Sequence, residues 1–269
     1  MKQVPMKKVS NFRLYFRILS IQFRSTMEYR TSFILSTISQ FLATFSVFFG
    51  MMFMFMRFNS VGGYSFAEVL ICFSTINVSF ALAEAFSRGL DRFPTIISNG
   101  QFDRILVRPR GEIFQVITTK FEFSRIGRIL QAILVFIWAS PRCGIRFTPR
   151  KILTLALMIL CGAAVFSGIF VIYAFICFFT TEGLEFMNIL TDGVKEYGKY
   201  PFDIYGKPLL FVLTFFFPFA LCQYYPFMYL TGRETSVFYA FVPLFSLVFL
   251  VPCGILWRFG VRHYRSTGS

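Results

Sequence analysis

Two stretches without a single charged residue, Ser32 to Met56 and Ile152 to Thr180, constrain this chain more than any other feature. A helix rises about 1.5 Å per residue, so a bilayer core of roughly 30 Å is crossed by about 20 residues. Both stretches are long enough. The chain is therefore expected to fold in lipid, where every polar group placed at depth costs free energy unless it finds a partner.

Composition agrees. Hydrophobic residues make up 56% of the 269 positions and the mean hydropathy is +0.63. That length holds about six spanning helices with short loops, and leaves no window for a separate soluble catalytic domain. The 40 Phe and 12 Tyr are scattered, which suits helix packing and carries no functional signal. The formal charge of +14 would suggest nucleic acid in a soluble protein. Here the basic residues cluster at the ends of oily segments, where they orient the chain, and nucleic-acid binding is not expected. Cys72, Cys143, Cys161, Cys177, Cys222 and Cys253 lie mostly in apolar segments with no close pair, and read as small buried hydrophobes. The single histidine, His263, stands in a basic tail, so neither a zinc site nor a His-based triad has residues to build from, and no metal site is expected. Ser32 to Met56 is too long for the core of a cleavable signal peptide.

The pattern along the chain predicts an all-α integral membrane protein of six transmembrane helices, preceded by an amphipathic helix. In residues 1–31, Arg13, Arg17, Ser20 and Arg24 share one helical face, and Phe12, Tyr15, Phe16, Leu19 and Phe23 fill the other. Such a helix lies in the membrane surface. Spans are expected at about 32–56, 64–86, 113–139, 152–180 and 237–257, with a basic cytoplasmic tail at 258–269. The second carries Glu68, Cys72, Thr75 and Ser79 along one stripe, with Asn77 and Glu84 elsewhere. A carboxylate in a span faces water or a partner, which makes Glu68, Thr75 and Ser79 candidates for a channel face. At the start of its helix, Glu68 fits the outer headgroup level equally well.

Residues 87–112 form a polar stretch with Arg88, Arg92, Arg104, Arg108 and Arg110. The N-terminal segment, this loop and the C-terminal tail hold fifteen Lys/Arg against seven on the opposite side. The bias places both termini and the loop in the cytoplasm. The 140–151 turn, with four basic residues and no acid, runs against it.

Residues 181–236 admit two readings. By hydropathy alone, Leu209 to Leu230 is the fifth span and 183–208 a cytoplasmic loop. Yet 183–199 is amphipathic, with Phe186, Met187, Leu190, Val194 and Tyr197 on one face and Glu185, Asp192, Lys195, Glu196 and Lys199 away from it. Facing lipid, five such charges would cost more than about 10 kcal/mol, so they face water or each other. Leu209 to Leu230 in turn contains Pro218 and Pro226, which suit a bent or re-entrant element.

Four motifs carry a family resemblance. They are Glu28-Tyr29-Arg30 before the first span and the run Gly100-Gln101-Phe102-Asp103-Arg104-Ile105-Leu106-Val107-Arg108-Pro109 after the second. Tyr200-Pro201-Phe202-Asp203-Ile204-Tyr205 and Phe217-Pro218-Phe219-Ala220 through Tyr224-Tyr225-Pro226 follow. In this order the chain resembles, over nearly its whole length, the permease subunit of a type-2 class ABC exporter, in a bacterial six-helix subfamily. The resemblance implies that residues 94–109 form a coupling helix seated in a cleft of an ATPase subunit, with Gly100, Phe102, Asp103, Arg104, Leu106, Arg108 and Pro109 as its contact set. Asp103, Arg104 and Arg108 would supply charged contacts, and Ile105 with Leu106 an apolar plug. It implies that 183–200 is the fifth helix, placing Asp192, Lys195 and Glu196 beside the stripe of the second, and that 209–230 re-enters from outside. Tyr200, Pro201, Pro218 and Pro226 would belong to that external element. It also implies a bacterial cytoplasmic membrane, a second permease copy or paralogue, and lipid as the surrounding partner.

No GxxxxGK[ST] run occurs, so ATP and Mg²⁺ would belong to the partner ATPase and this chain needs no cofactor of its own. Two other classes stay open beside the permease. One is a membrane-embedded enzyme acting on lipid through Glu68, Glu84, Asp192 or Glu196; the other is a passive channel or anchor subunit.

Overall fold

The computed structural model describes residues 10–180 and 189–266. Among these the chain is helical throughout, with one isolated bridge, Val61 to Tyr64, and no strand. Helix α1 (Asn11–Glu28) turns at Tyr29 into α2 (Arg30–Arg57). At 28 residues α2 is about 42 Å long, more than a bilayer core requires. A tight hairpin follows, in which Gly62 and Gly63 take φ of 58° and 80°. Two successive left-handed residues are what a type I′ turn needs and what only glycine adopts cheaply.

Helix α3 (Phe66–Asp91) starts at a capping box, where Ser65 accepts from the Glu68 amide and the Glu68 carboxylate accepts from the Ser65 amide. It is the axis of the bundle, packed along α7 (Ile126–Ala139) and α8 (Pro149–Ile176). Of its most apolar window 78% is buried inside the chain, against 17% for α2, which presents most of its surface outward. Between α3 and α7 run three short helices, α4 (Phe93–Ser98), α5 (Gln101–Leu106) and α6 (Glu112–Ile117).

The span expected at 113–139 is interrupted. Its helix stops at Ile117 and resumes through a single 3₁₀ turn (Phe123–Arg125) into α7, whose 14 residues cover about 21 Å. Gln22 of α1 closes the gap: its amide nitrogen donates to the Thr118 carbonyl at 2.9 Å and its oxygen accepts from the Phe121 amide at 3.0 Å. Backbone groups freed by the break are thus paired by a side chain 99 residues away.

The expected fifth helix lies partly outside the described residues. Its described part is a wide turn (Ile189–Gly193) running into α9 (Val194–Tyr197). The charges of this stretch pair with each other: Lys195 with Asp192 at 2.8 Å, and Lys199 with Glu196. Next come α10 (Lys207–Phe215), α11 (Phe219–Cys222) and α12 (Tyr224–Thr231). The segment 207–231 is bent by 87° at its break. Pro218 caps α11 there, and having no amide hydrogen it cannot continue the ladder of α10. Phe211, Phe215 and Phe216 of the first limb are exposed, whereas Phe219, Phe227 and Leu230 of the second are buried.

The last span comprises α13 (Phe238–Phe241), a 3₁₀ stretch (Val242–Phe249) and α14 (Leu250–His263). Arg258 and Arg262, expected in a separate tail, sit on the closing turns of this helix. Among the described residues four helices are long and apolar enough to cross a membrane, or five if the bent pair is one span. The chain is an all-α membrane protein.

Candidate functional site

Two groups of side chains lie near the C-terminal end of α3, the end carrying Glu84, Arg88 and Asp91. The first is the segment after α3. It forms two short helices, α4 and α5, and not the single helix expected at 94–109. Gly100, at φ 62°, makes the turn between them. Phe102 is fully buried in an aromatic nest: ring centroids lie 5.3 Å from Phe93, 5.3 Å from Phe178 and 4.9 Å from Tyr264, with Trp257 at 6.5 Å. Ile105, one helical turn on, is buried too, and its carbonyl accepts from the Gln115 amide at 3.0 Å.

With those two residues pointing inward, the others face out. Arg104, Leu106, Arg108 and Pro109 are exposed, and Val107 is 83% exposed. Asp103 is half-buried and accepts a hydrogen bond from the Ser266 hydroxyl at 2.7 Å. Ile105 is therefore not part of an outward apolar plug; Leu106 and Val107 form it. The Phe102 and Ile105 spacing of three, with Leu106 and Val107 off that face, is the signal that separates anchor from surface. Beside the segment, Arg110 donates to Asn11 at 2.6 Å, which ties α1 to the same surface.

The second group is a buried ion network. Glu84, with its side chain 5% exposed, takes Arg88 at 3.1 Å, Arg125 at 3.0 Å and Arg128 at 2.6 Å. The amide oxygen of Gln40 on α2 accepts from Arg125 at 2.7 Å and from Arg128 at 3.0 Å. One carboxylate and one amide thus hold α2, α3 and the start of α7 together. Removing one partner of such a buried group typically costs about 3–5 kcal/mol. Arg125 and Arg128 fall within the span expected at 113–139 and are not among the candidate residues. Their spacing of three, matched to the Glu84–Arg88 spacing of four, was the available signal.

The candidate channel residues divide. Thr75 and Ser79 are buried; their hydroxyls donate to the Ile71 and Thr75 carbonyls at 2.9 Å each, one turn back. Thr75 also accepts from the Gln223 amide at 2.8 Å, which pins the bent element onto α3. Glu68, about 24 Å from Glu84 by helical rise, is taken up by the capping box and by Arg233 at 2.6 Å. Within this chain the stripe is a packed contact. Asp192 and Glu196 are exposed, and Lys195 is half-buried over the Phe80 ring at 5.0 Å.

Around the bent pair, Pro201, Pro218 and Pro226 are buried, and Tyr200 donates to the Met54 sulfur at 3.8 Å. The Tyr64 hydroxyl donates to Asp203 at 2.6 Å, and Arg233 lies over the Tyr64 ring at 4.2 Å while donating to the Gly63 carbonyl at 2.8 Å. The bond to Glu68 holds the Arg233 guanidinium protonated above its ordinary range.

A family model described as ABC-2 family transporter protein matches residues 41–268. The chain belongs to this family. It is an ABC-2 permease, the membrane component of an ABC transporter, and the family associates with an ABC ATPase. No curated protein and no solved structure matches the permease. The match begins inside α2, so α1 lies outside it, and it covers both the α4–α5 segment and the bent pair.

Proposed function

We propose that this permease belongs to an exporter that moves a polar or amphiphilic substrate out of a bacterial cytoplasm, powered by ATP and Mg²⁺ bound in a separate ATPase subunit. Both termini and the α4–α5 segment lie on the cytoplasmic side, and α7 with the 189–200 stretch completes six membrane-inserted segments. A second copy or a paralogue supplies the other half of the path.

One observation carries the reading. The α4–α5 segment anchors itself by Phe102 and Ile105 and turns Arg104, Leu106, Val107, Arg108 and Pro109 outward as one surface of two cations and an apolar knob. Among the described residues nothing covers that surface. Gly100 and Asp103 shape it, and the ATPase is its occupant. Asp192, Lys195 and Glu196 reach the path directly. Glu68, Thr75 and Ser79 come to line it when the bent element, which re-enters from outside, moves away from α3.

Arg104→Glu combined with Arg108→Glu is expected to lower ATPase co-purification by about tenfold or more, since charge reversal at a docking surface both loses attraction and adds repulsion. Membrane insertion is expected to be unchanged. Unaltered co-purification after replacement of residues 98–108 would remove the reading. ATPase-independent flux would favour a passive channel, and lipid turnover by the chain alone an enzyme.

A further inference from the structure

A cavity of about 530 Å³ lies between α3, α7, α8 and the Thr191–Asp192 corner. Its volume falls in the range of small-molecule sites. Its wall is polar, and its charges are unevenly placed. Arg88, Arg125 and Arg128 converge on the one carboxylate of Glu84, and Asp91 engages Arg88 alone, at 3.2 Å. Asp192, at the rim, is matched by Lys195. Among the described residues the lining carries three arginines and three carboxylates, and with Asp192 taken up by Lys195, which also lies 3.7 Å from Glu196, the three arginines are left facing Glu84 and Asp91.

The geometry shows where the missing negative charge belongs. Between Arg125 and Arg128, the place a second carboxylate would take is filled by the neutral amide oxygen of Gln40. The Nε of Arg125 is buried and has no hydrogen-bond acceptor among the described residues. On the cavity's other wall the Phe80 ring is flanked by Arg128 at 5.5 Å and Lys195 at 5.0 Å. Guanidinium groups presented in this way match the oxygens of an oxyanion, phosphate among them, because their planar forks donate in pairs.

We infer that this cavity is a binding site for a phosphate-class oxyanion, carried by an amphiphile's headgroup or arriving as the free ion. Identifying that anion with the cargo rests on the transport reading; the binding itself does not. Arg125 and Arg128 supply the fork and Glu84 keeps them extended. Gln40 leaves the excess charge that the ligand satisfies.

The test is thermal unfolding of the full chain in a neutral detergent. Inorganic phosphate and monomeric dihexanoyl-phosphatidylglycerol are titrated separately against sodium chloride at equal ionic strength. A stabilisation absent in chloride is expected. A response to both probes assigns the free oxyanion, and a response to the lipid alone assigns the headgroup. Gln40→Glu is the deciding variant: it places a carboxylate between the two arginines without changing shape, so it is expected to fold at least as well and to weaken half-saturation by about tenfold or more. Arg128→Gln is expected to weaken it similarly, and Arg146→Gln, at an exposed position on another loop, to leave it unchanged. Equal stabilisation by chloride, or an undiminished response in Gln40→Glu, would overturn the site. No arm uses the ATPase, so a failure here leaves the exporter reading standing, and a failure of ATPase docking leaves this site standing.

Discussion

At Gly127 the backbone of α7 meets that of α2 so closely that an added Cβ would overlap the Thr37 carbonyl. Small residues at such crossings let helices in lipid gain dispersion contacts and satisfy polar neighbours, since apolar burial gives no advantage there. Gly127→Val is expected to destabilise the chain by about 1–3 kcal/mol, read as a lower unfolding temperature in detergent. An unchanged temperature would mean that α2 and α7 part freely. Cys143, in the turn before α8, offers a separate check. Burial, with a further push from Glu68, raises its thiol to about 12. A raised thiol pKa leaves the neutral form dominant below that value, so at pH 8 only about one molecule in ten thousand is thiolate. Maleimide labelling of Cys143 is expected to be slow at pH 8 and to quicken about tenfold per pH unit on the way to 12. Labelling at pH 8 as fast as that of a free thiol would contradict this environment.

Among the elements, hydropathy set the existence of α2, α3, α8 and the last span, because uncharged runs of this length have few other uses. It could not set the shape of 207–231, since a bent element and a straight span share the same composition. Pro218 pointed to a break, and the 87° angle is the outcome. The interruption at 118–122 was not legible at all: whether a helix opens there depends on Gln22 arriving from α1 to pair the freed groups. Likewise, the charges of 189–199 had to face water or one another, and only the structure shows Asp192–Lys195 and Glu196–Lys199 as pairs. The α5 anchor was half legible, since periodicity could have separated Ile105 from Leu106. The ion network was legible only in the Glu84–Arg88 and Arg125–Arg128 spacings and not in its membership, because it joins Gln40, Glu84 and Arg128 from three helices. For the bent pair, a cysteine at Lys207, an exposed position at the start of α10, is expected to react with a membrane-impermeant reagent from outside the cell. Reaction only from the cytoplasm would restore a full span.

Over the whole molecule, Phe102 is the residue whose loss is expected, on the proposed reading, to separate docking from transmission. Phe102→Ala removes a fully buried ring and is expected to loosen the α4–α5 segment by about 3–5 kcal/mol. ATPase stimulation is then expected to fall severalfold while the chain still inserts and Arg104 and Arg108 remain present. A variant that stimulates normally would show the aromatic nest to be dispensable for coupling.

The last span touches both ends of the proposed machinery. Trp257 and Tyr264 grip Phe93 and Phe102 at one end. At the other, the Cys222 thiol donates to the Ser246 hydroxyl at 3.0 Å, and Tyr239 packs on Tyr225 of the bent pair. On the proposed reading, a stroke delivered to the α4–α5 knob thus has a connecting rod to the bent pair in the last span, working beside α3 and α8. If the proposed second copy is present, each half would carry its own linkage, and an ATPase seated on only one of the two would unlatch only that side.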